Sequence, residues 1–460
     1  MALSPGTHGV IIVHGIGNPA AGDTIAAFTK AICDTLINSP EGDLKPPQVQ
    51  LKSDVSAKIP TVTLHITSPT GEHAVWLCRE AHWGDAFPPP TPTQVLWWGV
   101  NQNLRAQIAS IFKMFRDPGN EDLNPDDNWK KVEKSVVPDA AAKIQVKTKS
   151  SVSGFALIPA TIFTYFVLGL IWLLHFVPSI GPLDKIVSWV RKLDPFLSIS
   201  LGDIERYIDQ EIWSANARAR VEEIVIGMLQ DNEIKDITIV AHSLGTILVY
   251  DALTEGNNIA EFLARSGEGK SGKKITFVSV GAALNRVFEI LDRDTVKSQC
   301  QPNREIRYNN LEITKPLAKI ITGFEDKSYS GPPEAKFYWL DIYARRDPVP
   351  AGPVGRKIVE KAKIDPDRQW KERKVINKDS LLTDHVSYWD NKELVMPRIL
   401  RAINSGTEYP WPAAGITKEK VAARIRKAFN YVSLSEIIWC LVMLAIVVLL
   451  VLVLTGIIRL

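Results

Sequence analysis

A serine between a short buried strand and a helix constrains this chain more than any other feature of its sequence. The segment reads I-T-I-V-A-H-S-L-G-T-I-L-V-Y from Ile237 to Tyr250. Its first four residues are β-branched and bounded by charge, a pattern typical of a buried parallel strand. The residues from Thr246 onward have helical spacing and include no helix breaker. The segment therefore predicts a strand, a sharp turn that carries Ser243, and then a helix.

The spacing around Ser243 is that of a small-x-Ser-x-Gly turn. Strand and helix can approach each other at such a turn only if the residues two before and two after the serine are small, as Ala241 and Gly245 are. The turn would expose the serine hydroxyl and place the Leu244 N–H beside it, near a helix N-terminus, where it can stabilise an oxyanion. We interpret His242 as a structural residue of the turn. Because this pattern also arises by chance, it needs support from elsewhere in the chain.

That support begins with a glycine turn near the N-terminus. Residues 9–13 read G-V-I-I-V, a buried-strand pattern, and H-G-I-G follows them at His14–Gly17. Glycines in such a turn let the backbone approach a substrate with no side chain in the way. We predict the Ile16 N–H as a second oxyanion donor; the alternative is an ordinary turn before the helix predicted over 23–37. The residues predicted to support the two turns are His14, Gly15, Gly17, His242 and Gly245.

A nucleophilic serine needs a base that takes its proton and an acid that orients the base. Only one histidine, His385, follows Ser243 in the chain. Asp347 lies between them, in a proline-containing turn directly after a strand predicted over 337–344. The sequence therefore predicts Ser243, His385 and Asp347 as a catalytic triad. Other candidates for the acid are Asp341, Asp384, Glu325 and Asp326.

These motifs resemble those of lipase/esterase-type α/β-hydrolases, the broad group that includes the GPI inositol-deacylase-like proteins. In that group the serine turn is called the nucleophile elbow and reads G-x-S-x-G; here Ala241 replaces the first glycine. The resemblance covers about residues 8–405. It implies an α/β-hydrolase fold, with a mostly parallel sheet flanked by helices. It also implies ester, thioester or related acyl hydrolysis through an acyl-serine, with no cofactor and no metal.

Hydrophobic patterning predicts further elements of an α/β protein. Strands are predicted over 60–67, 74–78 and 273–280, and helices over 94–115, 204–229 and 391–403. The first two of these strands are predicted to be a hairpin or neighbours in the sheet.

The hydrolase core is predicted to be split by an insertion and followed by a membrane anchor. Residues 8–93 form its N-terminal part, 94–203 the insertion or cap, and 204–405 the rest of the core. Residues 406–436 form a basic juxtamembrane linker, and 437–458 a transmembrane helix.

Residues 155–177 of the insertion are almost wholly apolar, and their 23 residues are long enough to span a bilayer. The strands on either side of this segment must join one sheet on one side of the membrane, however, so a single crossing is awkward. We predict a membrane-embedded or re-entrant helix. A buried cap helix and a spanning hairpin stay open as alternatives.

Residues 437–458 contain no charged side chain over 22 residues, a length that matches a hydrocarbon core of about 30 Å. By the positive-inside rule, a basic flank before this segment predicts a single-pass, C-terminally anchored protein with its catalytic domain on the cytoplasmic side. The basic residues of that flank are Lys418, Lys420, Arg424, Arg426 and Lys427.

Composition excludes other classes of function. The chain has 54 basic and 51 acidic residues, so it is not a polyelectrolyte, and we expect no nucleic-acid partner. Its four cysteines are widely spaced and form no metal motif. We expect no disulfide framework, which fits a reducing compartment. The expected partners are a lipid bilayer and a lipid or acyl-ester substrate. The sequence leaves open whether the chain forms a homo-oligomer.

We therefore expect a membrane-anchored serine hydrolase that cleaves acyl esters of lipids, as a phospholipase, lipase or carboxylesterase. One alternative is a protein or acyl thioesterase, which would remove acyl chains from cysteine. Another is a non-catalytic membrane scaffold or membrane-perturbing effector on the same fold, favoured by the two long apolar segments and 13 tryptophans.

Overall fold

An eight-stranded, mostly parallel β-sheet organises the part of the chain that the computed structural model describes. The described residues are 3–87, 207, 211–259, 262, 273–287, 337–378 and 384–405, with gaps at 17–18, 39–45, 55–57, 255–257, 286, 345–346, 348, 351, 356–357, 360–363 and 365–368. The strands are β1 (Gly6–Val13), β2 (Gln48–Asp54), β3 (Thr61–Thr67), β4 (His73–Glu80), β5 (Ile234–His242), β6 (Ile275–Val280), β7 (Phe337–Ala344) and β8 (Trp370–Val375).

Helices surround the sheet in the same compact unit, which comprises residues 1–87, 206–377 and 383–417. They are α1 (Asp23–Asn38), α2 (Glu211–Gln230), α3 (Gly245–Thr254) and α4 (Met396–Ser405), with a short 3₁₀ turn at Gly84–Ala86. Every residue of α3 is buried, and it follows β5 after only two residues. Helix α3 is therefore fixed directly at the end of a central strand.

The strands lie in the order β2-β3-β4-β1-β5-β6-β7-β8. Strand β3 is antiparallel to both of its neighbours. The other six strands from β4 onward in this order, which include β1, are parallel to one another. The carboxyl ends of β1, β5, β6, β7 and β8 consequently share one edge of the sheet. Open parallel sheets hold their ligands at this edge.

Burial along the strands explains why this sequence forms a parallel sheet. Strands β6 and β7 are buried at every position, and β1 is buried from His8 to its end. Parallel strands covered on both faces need such continuous apolar runs. The end strand β2 is exposed at nearly every position and shows little alternation between buried and exposed residues, in keeping with its polar sequence Q-V-Q-L-K-S-D.

The predicted α/β class with a mostly parallel sheet is confirmed, and most element predictions differ from the structure only at their ends. Strands β2 and β8 were not predicted, because their sequences are polar and give no apolar signal. The last helix was predicted to begin at Asn391 but begins at Met396. Pro397 explains the start, since proline is favoured in the first helical turn, and residues 384–395 form turns instead.

Several predicted segments lie outside the described residues: the amphipathic helix at 94–115, the apolar segment at 155–177, the linker at 406–436 and the anchor at 437–458. Among the helices that are described, none combines the length and the apolar character needed to cross a bilayer.

Candidate active site

Ser243 occupies a backbone conformation that side chains rarely adopt. Its φ is +54°, and no other non-glycine residue in the described part of the chain has a positive φ. Such a conformation costs about 1–3 kcal/mol and persists only where the surroundings enforce it. Here the Ser243 N–H donates to the Val280 carbonyl at 3.0 Å, and the Ser243 carbonyl accepts the Thr246 hydroxyl at 2.6 Å. The turn thus joins β5 to α3 and places the serine at the carboxyl edge of the sheet. The predicted exposure of Ser243 is wrong: the residue is 1% exposed, and the Gly15 turn packs against it.

The two glycine turns are packed backbone against backbone. A Cβ on Gly245 would lie 2.3 Å from the His14 carbonyl oxygen and 2.9 Å from that of Val13. A Cβ on Gly15 would lie 2.7 Å from the Cβ of Ser243. Both positions therefore require glycine, whereas Ala241 fits its site with no exposed surface. The turn after β1 and the turn after β5 form one continuous surface beside Ser243.

The three residues predicted as a triad lie in one chain of hydrogen bonds. His385 Nε2 is 2.8 Å from Ser243 Oγ, and His385 Nδ1 is 2.9 Å from Asp347 Oδ2. An ionised carboxylate can only accept, so His385 Nδ1 carries a proton and, in the neutral ring, Nε2 accepts the Ser243 hydroxyl. This is the arrangement in which an imidazole removes the proton of a nucleophilic serine.

Asp347 is held on every side. Its side chain is wholly buried, and Oδ1 accepts the Val349 N–H at 2.9 Å. Oδ2 accepts from His385 and also from the Tyr388 hydroxyl, which is 2.7 Å away. Tyr388 was not predicted as a site residue. The only sequence feature that pointed to a role in the site was its closeness to His385 in the chain. A buried tyrosine is more commonly a packing residue.

Asp341, another candidate for the acid, has hydrogen-bond partners of its own. Asp341 Oδ1 accepts the Ser279 hydroxyl at 2.7 Å, and Oδ2 accepts the Val354 N–H at 2.8 Å. Burial raises the pKa of Asp341 to about 7. Asp384 neighbours His385 in sequence, but Asp347 forms the hydrogen bond to His385 Nδ1. Glu325 and Asp326 lie outside the described residues.

The two N–H groups predicted as oxyanion donors belong to Leu244 and Ile16. Leu244 is fully buried at the start of the turn into α3, and Ile16 is half-buried, one peptide bond beyond Gly15. Neither N–H donates to an acceptor within the described ranges. Gly17, predicted to support this turn, lies outside the described residues.

His14 braces the first glycine turn. Its ring stacks on Trp83, with centroids 4.7 Å apart and an interplanar angle of 3°. The Trp83 backbone N–H donates to His14 Nε2 at 3.3 Å, so the other nitrogen, Nδ1, carries the proton and donates to the Gly15 carbonyl at 2.9 Å. Burial lowers the pKa of His14 to about 4. The ring is neutral at pH 7 and serves as a fixed support.

His82 holds the chain that follows the first glycine turn. His82 Nε2 donates to the Pro19 carbonyl at 2.9 Å, and the His82 carbonyl accepts from Arg220 at 3.2 Å. Arg220 also pairs with Asp85. The chain between β1 and α1 is thereby fixed to the loop after β4 and to helix α2.

His242, inside the elbow, supports His385. Its Nε2–H donates to the His385 backbone carbonyl at 2.9 Å, and the two rings stack with centroids 4.7 Å apart. Burial, and then the neighbouring His385 ring, lower the pKa of His242 to about 3. His242 is therefore a neutral donor that fixes the segment carrying His385.

No group of three or more histidine, cysteine or acidic side chains is arranged to hold a metal ion within the residues that the structure describes. No protein family model, curated protein or solved structure matches the chain. What remains is the chemistry of the site itself: a serine hydroxyl, an accepting imidazole, a buried carboxylate and two neighbouring N–H groups. Together they can activate a hydroxyl for attack on an electrophilic carbon.

Proposed function

We propose that this protein is a serine hydrolase of the α/β-hydrolase fold, of the lipase/esterase type, that cleaves acyl esters. One observation carries the proposal. The His385 ring is within hydrogen-bond distance of Ser243 Oγ through one nitrogen, at 2.8 Å, and of Asp347 Oδ2 through the other, at 2.9 Å. A chain of serine, imidazole and carboxylate in this geometry is a nucleophile with its general base and the group that orients the base.

In the proposed reaction, Ser243 Oγ attacks the carbonyl carbon of the ester while His385 Nε2 takes the hydroxyl proton. Asp347 stabilises the imidazolium that forms, and the N–H groups of Ile16 and Leu244 stabilise the negative carbonyl oxygen. Collapse of this intermediate breaks the ester bond, and the alcohol leaves with the proton from His385. A water molecule, deprotonated by His385, then attacks the acyl-serine; the acid is released and Ser243 regains its proton.

Sheet topology supports the fold assignment. The predicted oxyanion turn follows β1, the nucleophile follows its neighbour β5, the acid follows β7, and the histidine follows β8. All four lie at the carboxyl edge of parallel strands. The order serine, acid, histidine along the chain is that of α/β-hydrolases.

We assign the substrate to membrane lipids. The assignment rests on sequence: residues 155–177 and 437–458 are long enough and apolar enough to enter a bilayer. An enzyme tethered to the membrane meets its lipid substrates at a raised local concentration. In this proposal the core is divided between 8–93 and 204–405, with 94–203 as a membrane-associated cap and the catalytic side facing the cytoplasm.

The first test is turnover of a short-chain nitrophenyl ester by the full-length protein and by Ser243→Ala. We expect turnover by the wild type and none by the variant; equal rates in both would refute the proposal. Substrate class is then tested with phospholipid vesicles and with acyl-cysteine peptides. Release of fatty acid from the vesicles supports the lipid assignment, whereas hydrolysis of the peptides alone would make the protein a thioesterase.

A further inference from the structure

Two donors share one oxygen of the Asp347 carboxylate. His385 Nδ1–H reaches Oδ2 at 2.9 Å, and the Tyr388 hydroxyl reaches the same atom at 2.7 Å. The Tyr388 oxygen in turn accepts the Ala344 N–H at 2.8 Å, so the last residue of β7 fixes the hydroxyl. The orientation of Tyr388 leaves its own proton pointing at the carboxylate.

Tyr388 remains a donor over the whole range in which enzymes work. The side chain is 1% exposed. Burial, followed by the negative charge of Asp347, raises the pKa of Tyr388 well above its ordinary value. The hydroxyl therefore keeps its proton at neutral and moderately alkaline pH. Hydrogen bonds to an ionised acceptor are about twice as strong as neutral ones.

Gly281 closes the pocket around this pair. Its φ is +58°, and its N–H donates to the Ile342 carbonyl at 2.8 Å. A Cβ there would lie 2.8 Å from Tyr388 Cε2 and 3.1 Å from Asp347 Oδ2. The backbone at the end of β6 thus packs against the tyrosine ring and the carboxylate.

We propose that Tyr388 is a positioning residue for the reaction: it holds Asp347 Oδ2 against His385 Nδ1 and disperses part of the charge on that oxygen. The inference rests on the proposed function, because it gives Asp347 the role of orienting the base. It adds a group that touches neither the substrate nor Ser243. By drawing charge away from the carboxylate, Tyr388 weakens the stabilisation of the imidazolium, so His385 releases its proton more readily to the leaving alcohol.

The test compares Tyr388→Phe with the wild type in the full-length protein. Phenylalanine keeps the ring and removes only the hydroxyl. The control is Tyr207→Phe, which removes another buried hydrogen bond between a tyrosine and a carboxylate, that of Tyr207 to Asp251. Asp251 lies in α3, about two helical turns beyond Ser243. Two quantities are measured: the chemical shift of the His385 Nδ1 proton that bonds to Asp347 Oδ2, by NMR of histidine-labelled protein, and the pH profile of ester turnover.

In Tyr388→Phe we expect the resonance of the Nδ1 proton to move downfield, because Oδ2 then accepts from His385 alone and the hydrogen bond between them strengthens. We also expect kcat/KM to fall about tenfold and the acidic limb of its pH profile to move to higher pH. Tyr207→Phe should change neither the resonance nor the pH profile. A resonance that is unchanged or moves upfield in Tyr388→Phe would overturn the inference. The NMR measurement does not depend on turnover, so a wild type without Ser243-dependent activity would refute the proposed function and still leave the Tyr388 test decisive.

Discussion

His242 donates a hydrogen bond from Nε2 to the backbone carbonyl of His385 at 2.9 Å, and the rings of the two histidines stack. The residue before Ser243, the proposed nucleophile, thereby holds His385, the proposed base. Since the two are 143 positions apart in the chain, this contact ties the elbow to the segment between β8 and α4.

Replacing His242 by phenylalanine keeps an aromatic ring under His385 and removes the donor. We expect kcat/KM for a nitrophenyl ester to fall about fivefold, since a neutral hydrogen bond contributes about 1 kcal/mol. His242→Gln retains a side-chain N–H that can reach the same carbonyl, so it should recover part of the loss. If the phenylalanine variant is as active as the wild type, the hydrogen bond does not position His385.

Asp347 and Asp341 are both buried, and the turnover of their asparagine variants shows which of them is the acid of the triad. Asp347→Asn should lower kcat by about 10³- to 10⁴-fold, because an amide cannot hold His385 in the required tautomer. Asp341→Asn should retain most of the activity per folded molecule, since Asp341 bonds to Ser279 and Val354 instead. The reverse pattern would assign the acid to Asp341. Folded protein is quantified by circular dichroism before the rates are compared.

Alanine substitutions at Gly245 and, as a control, at Gly227 test the close packing of the turn that carries Ser243. Gly245→Ala should destabilise the protein by about 3 kcal/mol or more, because the methyl would meet backbone that cannot move aside. Gly227 lies within α2, where an added Cβ meets only Arg79 Nη1 at 3.9 Å, so Gly227→Ala should stabilise by about 0.5–1 kcal/mol. Denaturant unfolding measures both. Equal stability of the two variants would contradict the close contact of the turns.

The buried histidines predict how stability depends on pH. Burial lowers the pKa of His14 to about 4 and that of His242 to about 3, against 6.5 in the unfolded chain. Their contribution is complete above about pH 6.5, and it falls as the pH drops towards 4 and 3, because only the unfolded chain binds protons in that window. Each contributes a slope of up to about 1.4 kcal/mol per pH unit.

This slope is measured as the free energy of unfolding between pH 7.5 and 4.5 for the wild type and for His242→Gln. Below pH 6.5 the wild type should lose stability more steeply than His242→Gln, by up to about 1.4 kcal/mol per pH unit. His65→Gln, at an exposed position of β3, should follow the wild type. Parallel curves for the wild type and His242→Gln would show that His242 titrates normally in the folded protein.

Much of the sheet could be predicted from sequence because its central strands are continuous apolar runs. Strands β1, β5 and β7 have this pattern, and Ser243, Asp347 and the first glycine turn directly follow such strands. Since parallel strands end at one edge, their proximity could be inferred from chain order alone. The end strands β2 and β8 are polar, and their positions depend on pairing with neighbours that sequence patterning does not reveal.

The supporting contacts of the site were less accessible to prediction. Tyr388 and Gly281 act on Asp347 through three-dimensional packing, and neither belongs to a short motif. The rings of His14 and Trp83 stack although the two residues are 69 positions apart in the chain. Such contacts depend on the parallel pairing and register of β1 and β4, which sequence patterning does not specify.

Covalent labelling can establish whether Ser243 is an activated nucleophile. The full-length wild type, Ser243→Ala and His385→Ala are treated with a fluorophosphonate probe, and the modified peptide is identified by mass spectrometry. We expect one adduct, on Ser243 of the wild type, with no labelling of Ser243→Ala and little of His385→Ala. Labelling of another residue, or equal labelling of the wild type and His385→Ala, would contradict this expectation.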